Sequence, residues 1–295
     1  MILTRIFFSF LSLGPILIGL LNLRRYKNKF EKPRLTHYLA LLNSVVLYAI
    51  AYNVIFFLQE LFLVLGKKVL GLQSTLYHNN HNWSGHHPME SLMQGSGALA
   101  IFIIGLICWA WFQRIRNTGN EWKLLILWLA FHGLIQSIPQ VMVAVFDSNT
   151  DVGQALVGYL GLNQTVLVGL AILSILATIV VCIWFSRPLL EIAPDTVDLS
   201  NPKMKLHYIR FIAVGAAAVG CVFIIPFRIP PITQLISPFI LLVFSIPWIW
   251  SVAPGVENIK SIGNVVNNKI CWKPIIILVF LLLIFRLILA PGIEF

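Results

Sequence analysis

The chain has 295 residues, of which 58% are hydrophobic and only 11% charged, with a mean hydropathy of +0.86. Soluble domains carry about 25% charged residues, so a soluble globular protein is excluded and an all-α, polytopic membrane protein is expected. The net charge of +10 does not point to nucleic acid, because the basic residues sit between apolar runs, which is the pattern of membrane topology.

Runs near the roughly 20-residue spanning length recur about eight times, at 6–23, 38–65, 96–112, 124–146, 165–186, 208–227, 233–252 and 274–291. The first ends in Leu23-Arg24-Arg25 without a small-residue cleavage site and reads as a retained signal anchor. The third is short, and the two pieces between 208 and 252 are broken by Pro226, Pro230 and Pro231, which allows tilted or re-entrant segments. Spans occupy almost the whole chain, so residues 1–295 are expected to form one transmembrane bundle with no separate extramembrane domain.

Lysine and arginine set the orientation. The link after the first span holds Arg24, Arg25, Lys27, Lys29, Lys32 and Arg34. Alternate links hold Arg114, Arg116 and Lys123, then Arg187, Lys203 and Lys205, then Lys260, Lys269 and Lys273. The opposite set holds Lys67, Lys68 and Arg228, with Arg5 at the amino end. By the positive-inside rule, both termini lie outside the cytoplasm of a plasma or inner membrane. The stretch 194–205 reads as a solvated cytoplasmic linker, and 66–95 as an extracytoplasmic loop.

Inside the second span stand Gln59 and Glu60. An ionisable side chain within a membrane segment costs about 2.5–3.5 kcal/mol on insertion scales, so it faces the bundle interior, holds a partner or serves a function. The loop that follows carries His78, His81, His86 and His87 among asparagines and Trp83. Neutral imidazoles at such spacing can converge on a transition metal, zinc first. The other reading is an interfacial loop anchored by Trp83 with solvated histidines. Asp147 and Asp151 follow the outward-running fourth span, at the same depth and on the same side. That span carries His132, Gln136 and Gln140 at four-residue spacing, hence on one helical face. They either line a cavity or bond neighbouring helices. Asn53 lies two turns before Glu60 and could point the same way. Arg286, deep in the last span, either pairs with a carboxylate such as Glu60 or snorkels. Cys108, Cys182, Cys221 and Cys271 show neither metal nor redox spacing.

Three stretches resemble a degenerate site-two-protease-type intramembrane metallopeptidase over 56–160. Where that family carries His-Glu-x-x-His, this chain reads Gln59-Glu60-Leu61-Phe62-Leu63. Gly95-Ser96-Gly97-Ala98 is similar to its small-residue span, and Asp151-Val152-Gly153 to its aspartate before glycine. The resemblance implies a peptidase-like core over 38–160, additional helices over 165–291, Glu60 as general base, and Asp151 as a metal ligand. Both histidines of the motif are replaced, so the resemblance implies either a non-catalytic relative or an enzyme whose zinc is rebuilt from His78, His81, His86, His87 and Asp151. Two other functions fit the same residues. One is a transporter or channel using Glu60, His132 and Arg286, and the other is a structural assembly subunit. No nucleotide-binding motif appears, and the expected partner is the lipid bilayer itself.

Overall fold

In a hydrocarbon surrounding, a long uncharged run rich in leucine, isoleucine and valine satisfies its backbone hydrogen bonds within one segment only as a helix. In the computed structural model 75% of the chain is helical. The structure describes the backbone of residues 2–26, 35–118, 122–229, 236–262 and 270–295, without the side chains of 2–12, 35–36, 227 and 236. Lys27, Lys29, Lys32, Arg34, Pro230, Pro231 and Lys269, and the side chain of Arg5, fall outside the described residues.

Among the described residues, seven helical stretches are long and apolar enough to cross a membrane: His37–Val69, Glu90–Ile115, Lys123–Val143, Gln164–Glu191, Pro202–Ile224, Ser237–Gly255 and Trp272–Leu289. They coincide with the last seven expected spans. The first expected span falls on helix α1 (Ile2–Arg25). Helix α2 (Leu35–Val69) lies at the centre. It packs on α4 (Ser96–Ile115), α5 (Lys123–Val143), α9 (Ala216–Ile224) and α12 (Trp272–Ile284). Helix α7 (Gln164–Glu191) leans on α5, and α10 (Ile236–Phe244) and α11 (Ile246–Val252) follow the break after α9. Pro226 falls in the 3-10 turn Ile225–Arg228 that ends α9, where a missing amide donor is tolerated.

Helices α4 and α5 cross in close contact. A methyl group built on Gly133 would lie 2.6 Å from the Gly105 Cα and 2.7 Å from the Ile101 carbonyl oxygen. Small residues that let backbones meet are how helices associate where lipid removes the hydrophobic drive. Around this contact the core is aromatic, with Trp128, Tyr48, Phe131 and Phe112 all buried.

Two segments differ from the sequence reading. The 66–95 loop is not irregular: Gln73–Leu76 (β1) and His81–Ser84 (β2) form a hairpin, and Ile293–Glu294 (β3) adds to β1. The sheet order is β2-β1-β3, all antiparallel. Two four-residue strands are too short to stand out by alternation, and β3 is supplied from the far end of the chain. The 194–205 linker is likewise shorter than expected, because α8 (Pro202–Ile209) begins inside it. Asn201 accepts from the Lys203 amide at 3.0 Å and Pro202 occupies the first turn, a combination that starts helices. The Lys205 ammonium then donates to the Val256 carbonyl at 2.7 Å.

The loops sort to two ends. The sheet gathers 66–95 and the carboxyl end, and Asn79 of the hairpin donates to the Arg228 carbonyl at 2.6 Å. At the other end, buried Glu191 receives Arg116 at 2.5 Å and Arg187 at 3.1 Å, and its carbonyl accepts the Ile262 amide. The two sets of links separated by charge are thus also separated in space.

Candidate functional site

Glu60 sits near the sheet end of α2, where the hairpin folds over it. The turn closes with the Tyr77 amide donating to the Asn80 carbonyl at 2.9 Å, and the register sets His81 opposite Leu76. His81 Nδ1 then lies 2.7 Å from Glu60 Oε2, with both side chains buried. Its other nitrogen, Nε2, lies 3.2 Å from Gln94 Oε1, just after the short helix α3 (Glu90–Met93). Both His81 nitrogens thus have a hydrogen-bonding partner, and the carboxylate at Nδ1 favours the protonated ring. Burial opposes that charge, but the hydrogen bond and charge of Glu60, with Asp151 nearby, outweigh it and raise the His81 pKa.

Asp151 reaches the same place from the start of α6 (Asp151–Gly153). Thr150 caps that turn by accepting from the Gly153 amide at 3.2 Å, which fixes the first-turn position of the aspartate. Gln59 donates to the Asp151 carboxylate, and the Gln59 oxygen accepts from Gln140 Nε2 at 2.9 Å. Burial, and then the negative charge of Glu60, push the Asp151 pKa from 3.8 up to about 6, against the pull of His81. A carboxyl poised there changes charge close to neutral pH, as acid–base groups do.

A lid covers the pair. Trp83 stacks on the His81 ring, 13° from parallel and 5.6 Å between centroids. The Lys67 ammonium rests 4.0 Å from the Trp83 ring centroid and donates to the Glu90 carbonyl at 2.6 Å. Below, a string of amides runs inward. Gln140 donates to the Gln136 carbonyl, and Gln136 Nε2 meets His132 Nδ1 at 3.3 Å. The string ends there, because Tyr48, Tyr52, Trp128 and Phe131 surround His132, whose Nε2 has no partner among the described residues.

The residues expected from sequence are therefore only partly brought together. Glu60, His81, Asp151, Gln59, Gln140 and Gln136 form one continuous polar cluster, with His132 at its foot. The histidine set divides. His78 is buried and stacks on Phe285 at 5.2 Å. His86 is exposed beside Glu90 at 3.1 Å, and His87 accepts from the Met89 amide at 3.1 Å. Among the described residues no group of three or more His, Cys, Asp and Glu side chains is placed to hold a metal ion. The zinc set His78, His81, His86, His87 and Asp151 does not assemble, because His78 is taken up by Phe285, His81 by Glu60, and His86 and His87 lie past the hairpin beside Glu90 and Met89. Asn53 bonds back to the Ala49 carbonyl of its own helix at 2.8 Å rather than joining Glu60. Arg286 points outward and donates to the Ile229 carbonyl, so it does not pair with Glu60. Gln94, Lys67 and Trp83 were not legible as a site, since a lone glutamine, a helix-end lysine and an interfacial tryptophan carry no distinguishing signal.

The position of the Asp151 titration gives a direct test. A folded pKa above the ordinary value means that the neutral acid is favoured by folding. The stability it contributes is complete below pH 3.8 and is lost as pH rises through about 6. Infrared difference spectra should show a protonated carboxyl band that disappears with a midpoint near 6 and is missing in Asp151→Asn. A band with its midpoint near 4, or one that survives the substitution, would assign the proton elsewhere.

Compared with known proteins, the chain matches no family model, no curated protein and no solved structure.

Proposed function

We propose that the chain is a multi-pass integral membrane protein with an acid–base hydrolytic site at its extracytoplasmic end. The observation that carries this reading is the buried Glu60–His81 pair at 2.7 Å, with Asp151 beside both. In this reading Glu60 orients His81 and holds its charge, as a carboxylate does for a catalytic imidazole. His81 donates a proton from Nε2 to the leaving group, which takes the place of Gln94 at that nitrogen. Asp151 in its ionised form takes a proton from the attacking water. The base role that the peptidase resemblance gives to Glu60 passes to Asp151, because Glu60 is engaged by His81. His81 is already engaged by Glu60 and Gln94 at its two nitrogens, and the reading uses no metal. A through-membrane path has less support, since the polar string stops at His132 and Arg286 lies apart from it.

The orientation rests on the clustering of Arg114, Arg116, Arg187 and Lys205 at the end opposite the sheet. In a cysteine-free background, Ser84→Cys should be labelled by an impermeant thiol reagent on intact cells and Thr118→Cys only after lysis. The reverse pattern would invert the topology.

For the chemistry, purified protein in vesicles should hydrolyse 4-nitrophenyl esters of graded acyl length. The rate should climb with pH through about 6 as Asp151 ionises. Asp151→Asn and His81→Asn should each lower kcat/KM by about 10²–10⁴, the usual worth of a positioned acid or base. No hydrolysis by the wild type, or wild-type rates in either variant, would overturn the reading.

A further inference from the structure

An apolar cleft of about 500 Å³ lies between α4 and α7, floored by α5 and closed at the sheet end by α6 and the π-turn Gln154–Tyr159 that continues it. Ala98 and Phe102 line one wall, Leu173 and Ala177 the other, Val141 the floor and Leu156 the cap. Its upper end is bounded by Gly95 and Val152. Each is the chain neighbour of a site residue, Gln94 and Asp151 respectively. The upper end of the cleft therefore lies one residue along the chain from two members of the acid–imidazole cluster, and the cleft descends from there along the bundle. From Gly95 to Phe102 it follows seven helical steps, about 10 Å at 1.5 Å each. Leu99 and Leu173 on its two rims are both exposed on the outer surface of the bundle. The opening thus faces whatever surrounds the helices.

Size decides what enters. A helix about 10–12 Å across takes up about 120–170 Å³ for each 1.5 Å step, so this volume holds three or four residues of one, less than a turn. A transmembrane segment does not fit. A hydrocarbon chain, which is far thinner, does, and the volume lies within the roughly 300–1,000 Å³ typical of small-ligand sites. Apolar walls alone do not select one chain from a bilayer, because the tails are as apolar as leucine. Selection has to come from the polar end of the ligand, and Gln94 and Asp151 are the chain neighbours of the residues that bound the upper end.

We propose that the cleft binds one hydrocarbon chain of an amphiphile whose polar head is presented to Glu60, His81 and Asp151. The inference rests on the hydrolytic reading for what happens to the head, and it names the substrate class of that site as an acyl amphiphile rather than a peptide span. The head meets the site at the outer face while the chain stays in the plane of the helices.

Two measurements on the full-length protein in vesicles test it. In the first, the 4-nitrophenyl esters used above are compared by chain length. The wild type should prefer long over short chains. Ala177→Phe, at an exposed position on the rim, should cut kcat/KM for the long ester at least tenfold while changing the short one less than twofold. Ala98→Leu, inside the cleft, should do the same. Equal loss on both esters, or no loss, overturns the cleft and leaves the acid–base site standing. In the second, a long-chain fatty acid with a terminal diazirine is photolysed in the vesicles. Label should concentrate on 95–102, 137–141 and 170–177 and fall at least tenfold in Ala177→Phe. Label spread evenly over outward residues such as Leu287 overturns the cleft. Concentrated label without ester hydrolysis sinks the hydrolytic reading but not the binding of the chain.

Discussion

Glu60→Ala is expected to destabilise the folded protein by about 3–5 kcal/mol, the usual result of leaving one partner of a buried ion pair alone. His81 would keep Gln94 but lose the carboxylate that favours its protonated form in a buried place. His81→Ala should cost a similar amount by stranding the Glu60 carboxylate. The double replacement should cost little more than either single one, because it removes both charges together. That non-additivity is the signature of direct contact. Thermal unfolding followed by tryptophan fluorescence in one detergent would measure all three against wild type. Glu60→Gln, which keeps a hydrogen-bond acceptor for Nδ1, should fall between wild type and alanine. If the two single effects simply add, the carboxylate and the imidazole do not meet and the site as described is wrong.

Gly133→Leu is expected to have an effect of comparable size for a different reason. Its first side-chain carbon would lie 2.6 Å from Gly105 Cα and 2.7 Å from the Ile101 carbonyl oxygen. Both obstacles are backbone, so no side chain can swing aside and α4 has to move off α5. Overpacking typically costs about 1–3 kcal/mol, and the backbone clash places this case at or beyond the upper end. Because α5 carries Gln140 and α4 follows directly on Gln94, the separation should also disturb the polar cluster. Gly158→Ala is the control: its added methyl would meet nothing nearer than Ser91 Cβ at 3.7 Å. Comparable losses in both variants would mean that the α4–α5 crossing is not the close one.

Much of the architecture was legible because the membrane reading is a one-dimensional problem. Run length, the scarcity of charge and the alternation of lysine and arginine are local quantities, and they located seven helices to within a few residues of where they lie. Where they failed, a local competitor acted: the Asn201 cap and Pro202 started α8 inside the expected linker, and two short strands formed inside the expected loop.

The site was legible only in outline. Glu60 announced itself as a carboxylate in an apolar helix, and its shared depth with the histidine loop and Asp151 followed from topology alone. Which histidine would reach it did not. His78 and His81 differ by three positions, yet one stacks on Phe285 and the other grips Glu60. His78 lies in the turn between the two strands while His81 opens β2, so the geometry of that turn decides this, and no run of hydrophobicity encodes it.

By itself the sequence determined that the chain is a bundle of apolar helices with two chemically distinct ends, and that one buried acid needed company. Only the tertiary structure decided who kept that company, because Glu60, His81, Gln94 and Asp151 come from four separate segments. Their meeting depends on how helices cross at Gly133 and how a hairpin closes, and neither is written in the spacing of residues along any one segment.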